Sequence, residues 1–244
     1  MRLFRLSVLL VASATLVFAA ACRPRTAPVP APKARAAYAV ARGESLWVHR
    51  FAAAALRTTP LEAIADVCAA LRWTRVQADS LGVDASRVAI YGVSAGGHLA
   101  ASTVTIGCPE ALAEHGADAL LLLSPAVDVE SDAHFGRMLR GRATAAEVSP
   151  VRNARAGMPP TVLVQGADDS LTPLRGAQRF CLLLAAQRQA CDLRVYDGLG
   201  HLLTRNLAEQ ENAFDPDPQA RADALRHQVR WLQQLWPDTV RRER

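Results

Sequence analysis

Predicted strands and helices alternate along residues 59–235, and this alternation leaves few folds open to the chain. The predicted strands are short, and they are Arg87–Gly92, Ala119–Leu123, Pro160–Gln165 and Asp192–Tyr196. Helices are predicted from Pro60 to Val76, after Ser94 to about Thr105, from about Leu174 to Gln189, and from about Gln219 to Leu235. Strands that alternate with helices form parallel sheets with right-handed crossovers. The predicted fold class is therefore α/β, with a mostly parallel sheet and helices on both of its faces.

The first predicted helix has a clear start and a periodic apolar pattern. Thr59 suits the N-cap position, and Pro60 suits the first helical position. The pattern predicts one apolar helical face. Its members are Ala63, Ala65, Val67, Leu71, Trp73 and Val76.

The segment Gly92-Val93-Ser94-Ala95-Gly96 fits the pattern Gly-x-Ser-x-Gly, and it stands where a predicted strand gives way to a predicted helix. This context is typical of a strained turn that lifts a nucleophilic serine hydroxyl clear of a sheet. A side chain at either glycine would crowd the turn, and the helix that follows directs free N–H groups toward the site. We therefore predict that Ser94 is a nucleophile. The competing interpretation is a chance match in a loop rich in glycine and alanine.

An acidic segment and a histidine each follow a later predicted strand. The segment from Gly166 to Pro173 contains Asp168 and Asp169, and His201 ends the segment Gly198-Leu199-Gly200-His201. The order serine, acid, histidine, each past the carboxyl end of a strand, is the order of α/β hydrolases. A histidine so placed takes the proton of the serine, and a carboxylate orients its imidazole. The competing interpretation of His201 is a turn residue at a glycine-rich bend. For Asp168 the competing interpretation, a solvated or loop-capping acid, is favoured.

Motifs spread over about residues 55–235 resemble the acetyl esterase/lipase (carboxylesterase) group of the α/β-hydrolase superfamily. They are Arg57-Thr58-Thr59-Pro60, Asp66, Ala70-Leu71-Arg72-Trp73, Leu81-Gly82-Val83-Asp84, Ser94-Ala95-Gly96-Gly97-His98-Leu99-Ala100, Ser149-Pro150, Gly157-Met158-Pro159-Pro160-Thr161, Phe180-Cys181 and Cys191. The resemblance implies an α/β-hydrolase-like fold and hydrolysis of short-chain acyl (acetyl-type) esters through an acyl-enzyme. It implies Ser94 as nucleophile, His201 as base and, at the fourth position of Gly-x-x-Asp-x-x-x-Pro, Asp169 as the acid. It also implies an oxyanion-hole N–H from Ala95 and a structural role for His98.

One motif of that group is missing from the sequence. Such esterases usually carry a His-Gly-Gly-Gly loop upstream of the nucleophile, which supplies N–H donors to the oxyanion hole, and this sequence has none. Gly43 is the only glycine between Arg25 and Arg57, so we expect a shortened N-terminal half with one or two strands over Tyr38–Val40 and Leu46–Leu56. An N–H between His49 and Phe51 is the candidate second donor.

The first residues have the layout of a secretory signal peptide. Arg2 and Arg5 flank a positive start, and Leu6 to Ala21 then runs without a charge. The run ends in Ala19-Ala20-Ala21-Cys22, which resembles a bacterial lipobox, in which Cys22 is lipidated and becomes the new N-terminus. Plain signal cleavage and an uncleaved anchor are the alternative interpretations.

This layout divides the chain into three parts. Residues 1–21 are the predicted signal peptide, residues 22–37 a tether rich in proline and alanine, and residues 38–244 the α/β-hydrolase domain. We expect a protein exported to the bacterial cell envelope or periplasm and anchored there by lipid. Contact with a membrane is expected only through that lipid.

The four remaining cysteines are Cys68, Cys108, Cys181 and Cys191. Four cysteines allow three pairings, and the ten residues from Cys181 to Cys191 suit a disulfide between a helix and a strand. All four are equally suited to be small buried apolar residues. The sequence contains no Cys-x-x-Cys and no histidine cluster, so we expect neither a metal nor a cofactor.

Charge and motifs together leave two functional hypotheses. The net charge is only +5, and no basic run is interleaved with aromatic residues, which argues against nucleic acid as a partner. The first hypothesis is a serine carboxylesterase whose partner is a small ester. The second is a catalytically weak or inactive hydrolase-fold lipoprotein with a binding or structural role, and a serine peptidase is a further interpretation within the enzyme class. The oligomeric state stays open, and Ser94→Ala discriminates between the two hypotheses.

Overall fold

The computed structural model describes residues 59–109 and 116–237 with their side chains. It describes three earlier strands as backbone only, namely β1 (Arg5–Val11), β2 (Ala34–Ala41) and β3 (Glu44–Arg50). Strands β2 and β3 pair antiparallel, in the region where one or two strands were expected. Cys22 and most of the predicted signal peptide and tether lie outside the described residues, so those assignments stay predictions.

The main sheet has the strand order β1-β4-β5-β6-β7, and every neighbouring pair is parallel. Its last four strands are β4 (Val83–Val93), β5 (Ala119–Leu123), β6 (Thr161–Gly166) and β7 (Cys191–Tyr196). Strand β1, within the stretch predicted as signal peptide, pairs with β4. Parallel strands present their carboxyl ends at one edge of the sheet, so the segments that follow β4, β6 and β7 are brought to the same side.

Helices cover both faces of this sheet. They are α1 (Pro60–Val76), α2 (Ala78–Leu81), α3 (Ala95–Thr105), α4 (Ala133–Met138), α5 (Leu174–Ala186) and α6 (Pro218–Leu235). Side chains of a strand alternate between the faces. Leu122 of β5 packs in one apolar cluster with Leu71 of α1 and Phe180 of α5, whereas Leu121 packs in another with Leu232 of α6. The predicted α/β class is therefore confirmed. None of the helices in the described residues has the length and apolar character that a membrane-spanning helix needs.

The start of α1 is as predicted, but its apolar face is not. Thr59 and Glu62 form a reciprocal capping box at the start of the helix. Val67 and Leu71 are buried, as the spacing predicts. Trp73 and Val76 are instead 57% and 67% exposed, so placing them on the buried face was wrong. They stand two and five residues beyond Leu71, offsets that turn away from the helical face of Leu71.

Two disulfides tie helices to the rest of the fold. Cys68 of α1 is bonded to Cys108, just beyond α3, and Cys181 of α5 is bonded to Cys191 at the start of β7. Of the three pairings that the sequence allowed, the structure selects the one that includes the short Cys181–Cys191 loop. The alternative of four free buried thiols is wrong, because each pair of Cα atoms lies within 6 Å, at 5.7 and 5.3 Å.

Candidate active site

Ser94 lies at a tight turn between β4 and α3. Its backbone has φ 53° and ψ −120°, a strained combination for a residue with a side chain. A Cβ atom on Gly92 would lie 2.8 Å from the Gly97 Cα, and one on Gly97 would lie 2.8 Å from the Pro125 Cα. The crowding predicted for Gly92 is therefore present, and Gly97, outside the five-residue pattern, is just as tightly enclosed.

His201 connects Ser94 to an acid. It lies in a short 3-10 turn, His201–Leu203, after β7, and only 3% of the residue is exposed. Its Nε2 is 2.9 Å from Ser94 Oγ, and its Nδ1 is 2.9 Å from Asp169 Oδ2. This network assigns the ring proton to Nδ1, so that Nε2 is free to accept the serine proton. The structure thus brings together the three residues that the sequence proposed as a triad.

Asp169 is held by five hydrogen bonds, and the side chain of its neighbour Asp168 takes no part in them. Oδ1 of Asp169 accepts the backbone N–H groups of Leu171 and Thr172, at 3.0 and 2.8 Å. Oδ2 accepts from Gln165 Nε2 and Thr172 Oγ1, both at 2.8 Å, in addition to the bond with the histidine. Asp168 is exposed. The structure therefore places Asp169, and not Asp168, beside His201, and the choice of Asp169 as the acid rested on its position in the family motif.

Three polar residues around this triad were not singled out from the sequence. Gln165 is fully buried at the end of β6. The signal in the sequence that could have identified it is a polar residue within an otherwise apolar strand. Thr172 Oγ1 is 3.0 Å from the Ser124 carbonyl oxygen and 3.1 Å from His201 Nδ1. The Ser124 hydroxyl accepts the backbone N–H of Leu202 at 3.0 Å. No local pattern marks Ser124, or the contacts of Thr172 with Ser124 and His201, because these partners lie on other loops.

One candidate donor of the oxyanion hole can be placed, and the other cannot. Ala95 is the first residue of α3, where the N–H groups of a helix have no partner within the helix. Its N–H therefore suits the role that the family resemblance implies. His49 belongs to β3, which is described only as backbone, and Phe51 lies outside the described residues. The second donor stays a prediction.

His98, four residues after Ser94, is buried and faces away from this chemistry. Its Nε2 donates to the Val148 carbonyl oxygen at 2.9 Å, and its ring packs edge-on against Phe135. Burial lowers the pKa of His98 to about 4, more than the hydrogen bond to Val148 raises it. His98 is thus a neutral packing residue at ordinary pH, in line with its predicted structural role.

Three apolar side chains on the segments that follow Asp169 and His201 are partly exposed. Leu171, Leu207 and Phe214 are each between 42% and 44% exposed, and the Phe214 ring centroid is 6.1 Å from that of His201. A cavity of about 80 Å³ lies beside Ala126 and Thr172. The Ala126 N–H donates to the Ser94 carbonyl oxygen. Partly exposed apolar side chains therefore follow Asp169 and His201 in the chain, and a small cavity lies beside Thr172.

A family model described as alpha/beta hydrolase fold matches residues 55–205, more than half of the chain. The chain belongs to the α/β-hydrolase family. The match spans Ser94, Asp169 and His201, and it confirms the family recognised from the sequence. A search of curated proteins found no match for this α/β hydrolase.

Solved esterase structures resemble this α/β hydrolase. A thermophilic esterase from the planctomycete Thermogutta terrifontis, Est2, shares 27% identity with a TM-score of 0.60, and the match covers 73% of this chain and 66% of that one. The butyrate-bound form of Est2 shares 25% identity with a TM-score of 0.63, covering 79% and 72%. Esterase 2 of the same organism phosphorylated by paraoxon shares 26% identity with a TM-score of 0.61, covering 79% and 70%. The first of these matches spans just under two thirds of the esterase.

Proposed function

We propose that this protein is a serine carboxylic-ester hydrolase in which Ser94, Asp169 and His201 act together on short-chain acyl esters. The observation that carries the proposal is the continuous hydrogen-bond chain from Ser94 Oγ through both His201 nitrogens to Asp169, with both histidine contacts at 2.9 Å. The likeness to esterase structures supports ester hydrolysis as the reaction.

In the proposed mechanism, His201 Nε2 accepts the Ser94 proton while the serine oxygen attacks the ester carbonyl. The Asp169 carboxylate stabilises the positive charge that then develops on the imidazole. The Ala95 N–H donates to the oxyanion, and His201 passes its proton to the departing alcohol, which leaves an acyl-enzyme. Water, deprotonated by the same histidine, attacks the acyl carbonyl and releases the acid with free Ser94.

We expect esters with short acyl chains to be hydrolysed faster than esters with long ones. Propionate- and butyrate-bound structures of the similar Est2 support this expectation. The expected order of kcat/KM is p-nitrophenyl acetate and butyrate above p-nitrophenyl decanoate.

The decisive experiment compares hydrolysis of p-nitrophenyl acetate by the wild type, Ser94→Ala and Ser102→Ala. Ser102 is fully buried in α3, and its hydroxyl has no hydrogen-bond partner, so its loss is expected to leave the fold intact. We expect Ser94→Ala to abolish turnover and Ser102→Ala to retain it. Equal hydrolysis by all three folded proteins would contradict the proposal.

One observation favours the second candidate, a weak or inactive hydrolase scaffold with a binding or structural role. The sequence lacks the His-Gly-Gly-Gly motif, and the loss of one oxyanion donor typically costs about 10² to 10³ in kcat. The same comparison separates the candidates, because a scaffold shows no turnover that depends on Ser94 with any ester of the series.

We also propose that the protein is exported and lipid-anchored through Cys22, and that this processing removes residues 1–21 and with them strand β1. The two disulfides support export, because disulfides persist in oxidising compartments. Expression in a bacterial host with labelled palmitate tests the anchor. We expect labelled wild type in the membrane fraction and no label in Cys22→Ser, and an unlabelled wild type would contradict it.

A further inference from the structure

Residues 204–216, which we call the 204–216 loop, leave the site after His201 and are closed at their base. The Thr204 hydroxyl accepts the backbone N–H of Asp215 at 2.9 Å, and Thr204 forms a β-bridge with Pro216. The Arg205 guanidinium binds both carboxylate oxygens of Asp215, at 3.0 and 2.8 Å. These contacts hold the two ends of the loop together and define the path of the residues between them.

Gln210 is the residue of this loop that reaches back to the active site. It is 6% exposed, and its Oε1 accepts the backbone N–H of His201 at 2.8 Å and that of Ser170 at 3.1 Å. Its Nε2 donates to the carbonyl oxygens of Asp168 at 2.8 Å and Leu207 at 3.4 Å. The oxygen of this buried carboxamide therefore accepts hydrogen bonds and its nitrogen donates them, away from solvent.

The neighbouring backbone leaves room for that carboxamide. A Cβ atom on Gly200 would lie 2.7 Å from Gln210 Nε2, so a side chain at position 200 would displace the amide. The glycine just before the histidine therefore leaves the space that the Gln210 amide occupies.

The partners of Gln210 lie on both sides of the proposed acid and on the proposed base. Asp168 and Ser170 flank Asp169 in the chain, and the third main partner is the backbone of His201 itself. A shift of either loop would change the 2.9 Å contact between Asp169 and His201. Catalytic side chains must be held to within about 0.5 Å, and a 1 Å misplacement can cost about 10²-fold in rate.

We propose that Gln210 is a positioning residue, which holds the acid loop and the histidine turn at the distance that the triad requires. This inference rests on the proposed esterase function. Gln210 acts through the backbones of Ser170 and His201, and it does not touch the reacting atoms. Its loss therefore lowers kcat while the surfaces that bind substrate stay in place.

The test compares Gln210→Met with Gln228→Met, which remove the amide and keep a side chain of similar size. Gln228 is a matched control, because it is 2% exposed and its Nε2 donates to the Leu122 carbonyl oxygen at 3.2 Å, outside the triad loops. With p-nitrophenyl acetate we expect Gln210→Met to lower kcat by about 10- to 100-fold with KM within about twofold. Gln228→Met is expected to retain kcat within about twofold. Equal kcat values for the two folded variants would overturn the proposal.

A conservative variant covers the case in which Gln210→Met fails to fold. Gln210→Glu keeps an acceptor for the N–H groups of His201 and Ser170 and loses the donor to Asp168, so we expect a kcat between those of Gln210→Met and the wild type. A Gln210→Glu variant that folds and turns over like the wild type overturns the contribution of the Asp168 contact.

Hydrogen–deuterium exchange at the Ser170 and His201 amides separates this inference from the proposed function. If the wild type hydrolyses no ester in a Ser94-dependent way, the proposed function fails and exchange alone decides about Gln210. Faster exchange of both amides in Gln210→Met than in Gln228→Met supports the positioning role. Equal exchange in the two variants overturns it.

Discussion

Replacing Thr172 by valine removes one hydroxyl from the centre of the site with almost no change of volume. That hydroxyl lies 2.8 Å from Asp169 Oδ2, 3.0 Å from the Ser124 carbonyl oxygen and 3.1 Å from His201 Nδ1. A hydroxyl carries one proton, so it donates to one of the two oxygens at a time while it accepts from the ring N–H. The valine variant therefore loses a contact to the proposed base, His201, and one to the proposed acid, Asp169.

The magnitude follows from the kind of hydrogen bond that is lost. A hydrogen bond to a charged group contributes about 1.5–3 kcal/mol. If that contribution supports the transition state, it corresponds to about a 10- to 100-fold loss in kcat, at 1.36 kcal/mol for each tenfold change. Gln165 Nε2 still donates to Asp169 Oδ2 at 2.8 Å, so the carboxylate stays anchored and activity is reduced without being abolished.

The assay is steady-state hydrolysis of p-nitrophenyl acetate by the wild type, Thr172→Val and Thr172→Ser, together with thermal unfolding of each protein. Thr172→Ser retains the hydroxyl and is expected to stay within a few-fold of the wild type. A Thr172→Val protein that is folded and keeps kcat within about twofold would refute the argument that this hydroxyl supports the triad.

Two further predictions concern stability. The pKa of buried His98 is held near 4, so the unfolded chain binds a proton more readily, and the free energy of unfolding should fall as pH drops from about 6.5 to 4. Urea unfolding of the wild type and of His98→Gln over this pH range should show a smaller fall in the variant. Parallel curves for the two proteins would contradict this prediction. Loop-closure entropy predicts a loss of roughly 4 kcal/mol on removing Cys68–Cys108, whose cysteines are 40 residues apart, and roughly 3 kcal/mol for the ten-residue Cys181–Cys191 loop. Unfolding of the two double Cys→Ala variants checks the order, and a larger loss from the shorter loop would be evidence against it.

Local patterns in the sequence were enough to predict strands β4 to β7, helices α1, α3, α5 and α6, and two residues of the site, whereas β1 and the short helices α2 and α4 were not predicted. Gly-x-Ser-x-Gly at a strand-to-helix transition marks Ser94, and the glycines before His201 mark a turn after a strand. Neither pattern distinguishes Asp168 from Asp169, and only the family motif favoured the latter. In the structure, Asp169 is buried against the histidine and Asp168 is exposed.

Contacts between distant segments were beyond these patterns. Cys68 and Cys108 are 40 residues apart, and Gln210 lies 40 residues from Ser170. Gln210 meets Ser170 only after the parallel crossovers bring the carboxyl ends of β6 and β7 to one edge of the sheet, and Cys68 meets Cys108 only after α1 packs against α3. Periodicity and short motifs report the conformation of neighbouring residues, so the sequence alone determined the fold class, the nucleophile turn and the histidine turn. The disulfide pairing and the hydrogen bonds that hold the triad depend on which loops become neighbours in space, and only the tertiary structure decided them.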